Sequence, residues 1–493
     1  MRNTRHPVLC AVLIHALLGT QLAQATSIVW PTPAPQPRPV LQQVPPITPR
    51  PNFEAPSATH CQRGIATREV SDGQPRPVPF ALGPMVRKDV APERLAEEDA
   101  VRAPRPAPLA VAPAAAAARS ESKAADAGPA AAPQGAEPRV AVAPQPQQQN
   151  TAPVTAGMVD DNAAFAEYLA FRRRTQVTHR ERDVRDRYLL EVTDAQGRGV
   201  PDAEVAVQGA NGAATWLRTD SAGKAWIHPN AFDPGQSRFY DVTVRQGNTL
   251  TTGVLQRGQK SAVEVHLNQA RQPAPARLDL VFLVDATGSM GDEIDKLKSS
   301  LRSITDEVSR LPSHPDLCLG LVAYRDRGDE FFVRSHDLTN DINAFQGVLN
   351  ALQAAGGGDE PEAMNEALHE AVHHISWRGE QTTRLVVLVA DAPPHLDYGG
   401  PQYDDDMMAA LGKGIKIMSV GASGLNKQGE YIQRQMAQYT GGRFIFLTYA
   451  DASNPASGPG RETVHDVRNY SVQTLDKLVV RLVREELDKL PRS

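Results

Sequence analysis

The stretch LDLVFLVDATGSM, from Leu278 to Met290, shows how the C-terminal half of the chain is built. Its apolar run ends abruptly at Asp285, and two hydroxyl residues, Thr287 and Ser289, follow. An apolar run that precedes a polar loop and a long amphipathic segment is typical of a buried parallel strand leading into a helix. Ligands of open α/β sheets bind beyond the carboxyl ends of the strands, where this loop is expected. Taken alone, the loop is equally compatible with oxygen ligands for a divalent cation and with a simple turn and helix cap.

The sequence after this stretch alternates between helix and strand patterns. Residues 291–311 carry apolar side chains at intervals of three and four, which predicts a helix. The alternation continues to the end of the chain and predicts an α/β, doubly wound (Rossmann-like) domain over residues 277–490. Only six residues separate the strand candidates 317–324 and 331–333, so one antiparallel edge strand is expected there.

Three predicted loops bring carboxylates to the same edge of this sheet. Asp285 ends the first strand, Asp359 follows three glycines, and Asp391 directly follows an apolar strand. Because like charges that are buried together repel one another, a divalent cation is the natural counter-ion. We therefore predict a metal site formed by Asp285, Thr287, Ser289, Asp359 and Asp391, which would hold Mg²⁺ or alternatively Mn²⁺ or Ca²⁺.

With these loops in this order, residues 278–490 resemble a von Willebrand factor A (VWA) domain. The metal-ion-dependent adhesion site of that family uses an Asp-x-Ser-x-Ser loop, a threonine and a further aspartate. The resemblance implies these roles for Asp285, Thr287, Ser289 and Asp391, whereas Asp359 stands where the family usually has threonine. It also implies binding of a protein partner, whose acidic side chain completes the site. A carboxylate at position 359 would tighten metal binding and weaken the attraction of the metal for that acid.

A second motif in the same domain predicts different chemistry. His369-Glu370-Ala371-Val372-His373 is an H-E-x-x-H sequence, in which two histidines bind zinc and the glutamate acts as a general base. The metzincin continuation, with its glycine and third histidine, is missing from the residues that follow. The motif therefore also fits the polar flank of an ordinary amphipathic helix. Further along, Asp404 to Asp406 are predicted to cap and charge the start of a helix.

Residues 188–270 change to a two-residue period. Seven short alternating segments, separated by turn signals such as DAQGRG and DSAG, predict a small all-β sandwich. The stretches VTDAQGRGVPDAEVAV and TDSAGKAWI resemble the transthyretin-like, or carboxypeptidase-regulatory, type of Ig-like domain. This resemblance implies a structural or binding module without chemistry of its own.

The N-terminal third has the composition of an exported arm. Two arginines, an apolar core and Ala23-Gln24-Ala25 predict a signal peptide over residues 1–25. An uncleaved anchor is the less favoured alternative, because the apolar run is short for a membrane span. Residues 26–156 are rich in Pro, Ala and Gln, which predicts a long disordered region, and residues 157–187 are predicted to form a charged helix or linker. Beyond the signal peptide, the sequence predicts no transmembrane segment. The mature protein is therefore expected in the periplasm, at the cell surface or secreted.

The cysteines and the net charge bear on disulfide bonding and on nucleic-acid binding. Cys318 lies in an apolar strand and is expected to be a buried thiol, while Cys61 is expected to be free, paired between chains or paired with Cys318. Disulfides are therefore not expected to hold the fold together. The net charge of -5 argues against a general nucleic-acid binder.

These features predict an exported VWA protein that is not an enzyme. It would bind a protein partner through a divalent metal, for adhesion or assembly at the bacterial cell envelope. Two alternatives remain. One is a zinc-dependent hydrolase that uses the motif at 369–373, and the other is a structural envelope protein whose metal only stabilises the fold.

Overall fold

The computed structural model describes residues 61, 64–73, 153–270, 275–358, 360–379 and 381–490. The predicted signal peptide and most of the predicted disordered region lie outside the described residues, and so does Asp359.

Strands and helices alternate along most of the described chain. In chain order the strands are β1 (Thr67–Val70), β2 (Thr155–Val159), β3 (Tyr188–Thr193), β4 (Glu204–Gly209), β5 (Ala214–Arg218), β6 (Lys224–Ile227), β7 (Phe239–Gln246), β8 (Thr249–Gln256), β9 (Val263–His266), β10 (Arg277–Asp285), β11 (Asp316–Tyr324), β12 (Val333–Thr339), β13 (Thr382–Ala390), β14 (Ile415–Gly421), β15 (Phe444–Asp451), β16 (Asn454–Pro459) and β17 (Gln473–Thr474). The helices are α1 (Phe165–Arg174), α2 (Pro229–Phe232), α3 (Ile294–Ser309), α4 (Ile342–Ala351), α5 (Met364–His373), α6 (Tyr403–Gly412), α7 (Lys427–Tyr439) and α8 (Leu475–Asp488).

A large mixed sheet forms the C-terminal domain. Its strand order is β1-β12-β11-β10-β13-β14-β15-β2-β17, with β16 paired to β15. The five strands from β11 to β15 in that order are parallel, so their carboxyl ends share one edge. Strand β10 lies in the middle, and eight of its nine residues are buried, which explains the unbroken apolar run from Leu280 to Val284.

Helices cover both faces of this sheet, as the doubly wound prediction required. Helices α3, α4 and α8 pack on one face, where Leu297, Phe345 and Leu478 join the core. Helices α1, α5, α6 and α7 pack on the other face. Full burial of a leucine or phenylalanine side chain stabilises a fold by roughly 1.5–3 kcal/mol. The apolar faces of these helices therefore hold them against the two faces of the sheet.

The antiparallel strand predicted beside 317–324 is present, but it begins at Val333 and not at residue 331. This strand, β12, pairs antiparallel with β11. It is not an edge strand, because β1 pairs with its other side. Strand β1 lies inside the region predicted to be disordered, so that prediction is wrong for residues 67–70. The main-chain ladder is joined by a side-chain contact, in which Arg334 Nε donates to Glu69 Oε1 at 2.8 Å.

A disulfide fixes the segment that contains β1. Cys61 is bonded to Cys318 of β11, and their Cα atoms lie 6.1 Å apart. The predicted free thiol at Cys318 is therefore wrong, and of the three alternatives expected for Cys61 the structure shows pairing with Cys318. The expectation that disulfides do not hold the fold together is wrong for the segment that contains β1. Cys318 is buried as predicted. The apolar context of Cys318 indicated its burial and did not decide whether it pairs with Cys61.

A further strand from upstream extends the other end of the sheet. Strand β2 pairs antiparallel with β15 and with β17. Only the segment Phe165–Arg174 of the predicted helix or linker at 157–187 is helical. At its basic end, Arg174 Nε donates to Asp466 Oδ2 at 2.6 Å, and both side chains are exposed.

Residues 188–266 contain seven strands in two sheets, β6-β3-β9 and β5-β4-β7-β8. The inward-facing residues of both sheets, including Leu190, Val207 and Val242, share one core. The number of strands agrees with the sequence prediction. A buried ion pair joins this region to the large sheet, since Arg384 Nη1 of β13 lies 2.8 Å from Asp202 Oδ1.

Within the described part of the chain, none of the helices combines the length and the apolar character needed to cross a bilayer.

Candidate metal centre

The loop after β10 turns Asp285 towards the carboxyl edge of the sheet. Asp285 is fully buried. Its Oδ1 atom accepts hydrogen bonds from the amide of Thr287 at 3.0 Å and from Thr287 Oγ1 at 2.7 Å. Thr287 Oγ1 also lies 3.0 Å from the hydroxyl of Ser289, which is exposed. These bonds hold Oδ1 of Asp285 within the loop and leave its other oxygen available.

Hydrogen bonds to the main chain tie this loop to its neighbours. The amide of Gly288 donates to the carbonyl of Gly356 at 2.8 Å. Arg325, which follows β11, donates from Nε to the carbonyl of Ala286 at 3.1 Å. The carbonyl of Arg325 in turn accepts from the amide of Ala363 at 3.3 Å. Three loops that are distant in sequence are therefore held at one place.

Gly357 allows the close approach of these loops. Its φ of +66° lies in the left-handed region, and a Cβ atom added there would lie 2.8 Å from Glu362 Oε1 and 3.0 Å from Cβ of Thr287. A larger residue would therefore collide with two members of the site. The same distances show that Glu362 and Thr287 are neighbours.

Glu362 is a member of the site that sequence reasoning missed. Its amide donates to the carbonyl of Pro393 at 3.0 Å, and its carbonyl accepts from the amide of His395 at 3.1 Å. These two bonds fasten Glu362 to the loop that begins at Asp391. Its side chain is buried, with only 3% of the residue exposed. The position of Glu362, directly before the apolar start of a helix, is the sequence feature that could have indicated it. The three glycines before Asp359 favoured that residue instead.

Burial and mutual repulsion raise the pKa values of the three carboxyl groups. Burial raises the pKa of Asp285 to about 6, although hydrogen bonds from Thr287 oppose the change. Burial and the nearby charge of Asp285 raise the pKa of Asp391 to about 7, and a hydrogen bond from Ser289 opposes it. For Glu362, burial together with Asp285 and other acids raises the pKa to about 9. Such a cluster binds protons or a cation more readily than isolated acids do.

Two more acids surround the cluster. Asp329 Oδ2 accepts from the amide of Gly357 at 2.7 Å and from the amide of Asp326 at 3.0 Å. Asp326 Oδ1 accepts a hydrogen bond from Tyr398 Oη at 2.6 Å. Their charges add to the negative potential around Glu362.

The three central carboxyl groups each have one oxygen that fits a metal ligand. Oδ2 of Asp285, Oε2 of Glu362 and Oδ1 of Asp391 are buried and make no hydrogen bond of good geometry among the residues that the structure describes. The buried hydroxyl of Tyr324, which acts on the Asp285 carboxyl group, makes none either. Leaving three such atoms unpaired is costly, at about 1–3 kcal/mol or more each. Carboxylate and hydroxyl oxygens are the ligands that Mg²⁺, Mn²⁺ and Ca²⁺ prefer. The donor set therefore fits the divalent cation predicted from the sequence.

Four of the five predicted site residues are brought together here. Asp285, Thr287, Ser289 and Asp391 are linked by the contacts and charges described above, whereas Asp359 lies outside the described residues. In this structure Thr287 acts on Asp285 through two hydrogen bonds.

The H-E-x-x-H motif lies on α5, and its three members do not face one point. Glu370 is buried, accepts from Ser335 Oγ at 2.7 Å and lies 3.1 Å from Nδ1 of His374. The carboxylate next to both His369 and His373 is that of Asp406. The predicted general base therefore stands apart from the two histidines.

Comparisons with known proteins show that part of the chain is similar to a known family. Residues 279–395 match the family described as von Willebrand factor A domain. Mouse von Willebrand factor A domain-containing protein 7 is 38% identical over 96 residues, which are 19% of this chain and 10% of that protein. Human integrin beta-6 is 24% identical over 246 residues, which are 44% of this chain and 29% of that protein.

Among solved structures, the pilus adhesin SpaC from Lactobacillus rhamnosus GG overlaps with a TM-score of 0.26 at 15% identity, covering 42% of this chain and 31% of that one. The chain thus spans less than a third of the length of each of these relatives. The matched segment contains most of β10, the Asp285 loop, Glu362 and Asp391. Residues 279–395 are therefore similar to von Willebrand factor A domains.

Proposed function

We propose that this chain is an exported protein whose VWA domain binds a protein partner through a divalent cation. The cation would be held by Asp285, Ser289, Glu362 and Asp391, with Thr287 orienting Asp285. One observation carries the proposal: three buried carboxylate oxygens from three loops make no hydrogen bond of good geometry among the described residues. A cation at this edge would satisfy all three and remove their mutual repulsion.

The oxygen-only donor set favours Mg²⁺, with Mn²⁺ or Ca²⁺ as alternatives. When bound, the ion would supply a positive charge able to accept an oxygen ligand from a partner. The exposure of the surrounding residues indicates from which side a partner could reach the ion. Ser289 is exposed and sits beside Thr287, whereas Asp285 and Asp391 are buried. A partner would therefore approach from the side of Ser289.

Glu362 affects how strongly the metal would attract a partner. A third carboxylate tightens metal binding and reduces the attraction of the metal for an acidic side chain. This is the effect that the sequence suggested for Asp359, and Glu362 supplies it from the described part of the site. The affinity for the partner should therefore depend on contacts around the metal as well as on the metal itself.

Several observations support an extracytoplasmic setting and a binding role. Disulfides such as Cys61–Cys318 persist in oxidising compartments, including the bacterial periplasm and the cell surface. The similarity of the VWA segment to mouse von Willebrand factor A domain-containing protein 7 and to integrin beta-6 supports protein binding. The seven-stranded region at 188–266 would then act as an Ig-like spacer or binding module, in adhesion or assembly at the bacterial cell envelope.

A pull-down from a solubilised cell-envelope extract tests this proposal. The immobilised chain is compared in Mg²⁺ and in EDTA, as wild type, as Asp285→Ala and as Asp295→Ala. Asp295 is a matched control because it is an exposed acid of α3 with a lysine partner. We expect a protein that is retained in Mg²⁺ by the wild type and by Asp295→Ala, and lost both in EDTA and with Asp285→Ala.

Other outcomes separate the alternatives. If Asp285→Ala abolishes stabilisation by Mg²⁺ but retains the partner, the metal only stabilises the fold. If zinc-dependent cleavage of envelope proteins appears and is lost with His369→Gln, the protein is a hydrolase. If Mg²⁺ changes neither stability nor binding, the metal centre itself is wrong.

A further inference from the structure

Two histidines and an aspartate meet where α5 packs against α6. His369 and His373 lie one helical turn apart on α5, with ring centroids separated by 4.4 Å. Nδ1 of His369 is 3.0 Å from Oδ1 of Asp406, and Nε2 of His373 is 2.8 Å from the same oxygen. Asp406 comes from the first turn of α6. The cluster is thus built by two helices and lies outside the carboxylate centre.

Asp406 is buried in an unusual way for an acid. Only 3% of the residue is exposed, and its Oδ2 atom has no hydrogen-bond partner within the described part of the chain. The two histidines satisfy Oδ1 alone. Its neighbours in the sequence differ, since Asp404 pairs with Arg180 at 2.5 Å and Asp405 pairs with Arg182. The N-cap position of α6 is Gln402, so a capping role does not account for Asp406.

We propose that His369, His373 and Asp406 bind one zinc ion, or a similar transition-metal ion. Their ligand atoms all lie within 4.8 Å of one another. Bonds of 2.0–2.1 Å in a tetrahedral zinc site place neighbouring ligand atoms about 3.3 Å apart, so small side-chain movements suffice. Two imidazoles and one carboxylate are a donor set for zinc, whereas Mg²⁺ prefers oxygen.

The surroundings suit a cation with one outward-facing position. The side chains of His369 and His373 are 38% and 30% exposed, so water can reach the ion and complete its coordination. Helix α5 ends at His373, and the carboxyl end of a helix favours positive charge. Glu370 points into a buried contact with Ser335, so the site lacks the general base of the H-E-x-x-H hydrolases.

The ion would join two helices that flank the carboxylate centre. Helix α5 begins at Met364, two residues after Glu362, and α6 follows the loop that begins at Asp391. A zinc ion that links α5 to α6 would therefore help to hold the loops that carry Glu362 and Asp391 in place. This role is structural and holds whether or not the carboxylate centre binds a partner.

Zinc titration of the full chain tests the site. The titration is done calorimetrically in saturating Mg²⁺ and in the Asp285→Ala background, so that the carboxylate centre does not contribute. We expect one Zn²⁺ per chain and a rise in melting temperature on binding. His369→Gln and Asp406→Asn should each weaken binding by more than the roughly 10–100-fold loss that is typical of outer-shell partners.

His374→Gln is the matched control, because His374 is the next residue and contacts Glu370 instead. It should bind zinc as the wild type does. Cobalt substitution adds a spectroscopic readout, since a four-coordinate Co²⁺ site absorbs strongly in the visible range and His369→Gln should lose that band. Equal zinc affinity in the wild type and in His369→Gln, or equal loss in His374→Gln, would overturn the proposal. Because Asp285→Ala removes the carboxylate centre, failure of partner binding leaves this result unaffected.

Discussion

Replacement of Glu362 by glutamine should change the stability of the protein in opposite directions with and without a divalent cation. The side chain is buried among the acids of the carboxylate centre, where burial and repulsion raise its pKa to about 9. Without metal, the neutral glutamine removes an acid that folding must keep protonated. With metal, the same change removes a ligand.

The size of the metal-free effect follows from the pKa. Folding raises the pKa of this carboxyl group, so between pH 4.5 and about 9 the folded protein holds a proton that the unfolded chain has lost. The free energy of unfolding therefore falls as the pH rises through this range. At pH 7 the carboxyl group is ionised in the unfolded chain and must take up a proton on folding. At about 1.4 kcal/mol per pH unit above 4.5, this lowers the free energy of unfolding by up to ~3 kcal/mol. Glutamine avoids this cost, so the melting temperature should rise by up to roughly 10 °C.

Thermal unfolding in EDTA and in Mg²⁺, at several pH values, measures both effects. In EDTA, Glu362→Gln should be more stable than the wild type, and the difference should grow between pH 5 and pH 8. In Mg²⁺ at 100 times its dissociation constant, the wild type should gain about 2.7 kcal/mol and the variant less. Glu360→Gln changes an exposed acid nearby and serves as the control. A metal-free Glu362→Gln protein that is less stable than the wild type at pH 7 would refute the reasoning.

Two further predictions concern the support of the fold. Cys61→Ser should lower stability by about 2–4 kcal/mol, because the disulfide to Cys318 closes a loop of 257 residues, and a reductant should lower the melting temperature of the wild type but not of the variant. Burial alone would raise the pKa of Glu486, but the charges of Lys416 and Lys489 outweigh it and lower this pKa to about 2. Since this pKa is lowered, its stabilisation is present above pH 4.5 and is lost as the pH falls towards 2, so Glu486→Gln should show a flatter acid unfolding curve than the wild type.

Periodicity in the sequence predicts the centre of the fold well. The apolar run at β10 and the three-and-four spacing over α3 both reflect burial against a continuous sheet, and both elements are found. Strand β1 could not be predicted in this way. Its four residues, TREV, lie largely exposed on the edge of the sheet and are held there by main-chain pairing and by the disulfide of Cys61.

The candidate site shows a similar division. Asp285 and Asp391 were predictable because each ends an apolar strand, and the carboxyl ends of parallel strands meet. Glu362 reaches the site through a loop whose course depends on main-chain bonds to Pro393 and His395. Asp406 meets its two histidines only through helix packing. Contacts of this kind join residues that no local pattern connects.

Anomalous diffraction from crystals of the protein soaked in Mn²⁺ tests the central claim most directly. The metal centre predicts a manganese peak in contact with the side chains of Asp285, Ser289, Glu362 and Asp391, and no such peak in Asp285→Ala crystals. A peak in contact with other residues only, or none at this edge of the sheet at saturating Mn²⁺, would contradict it.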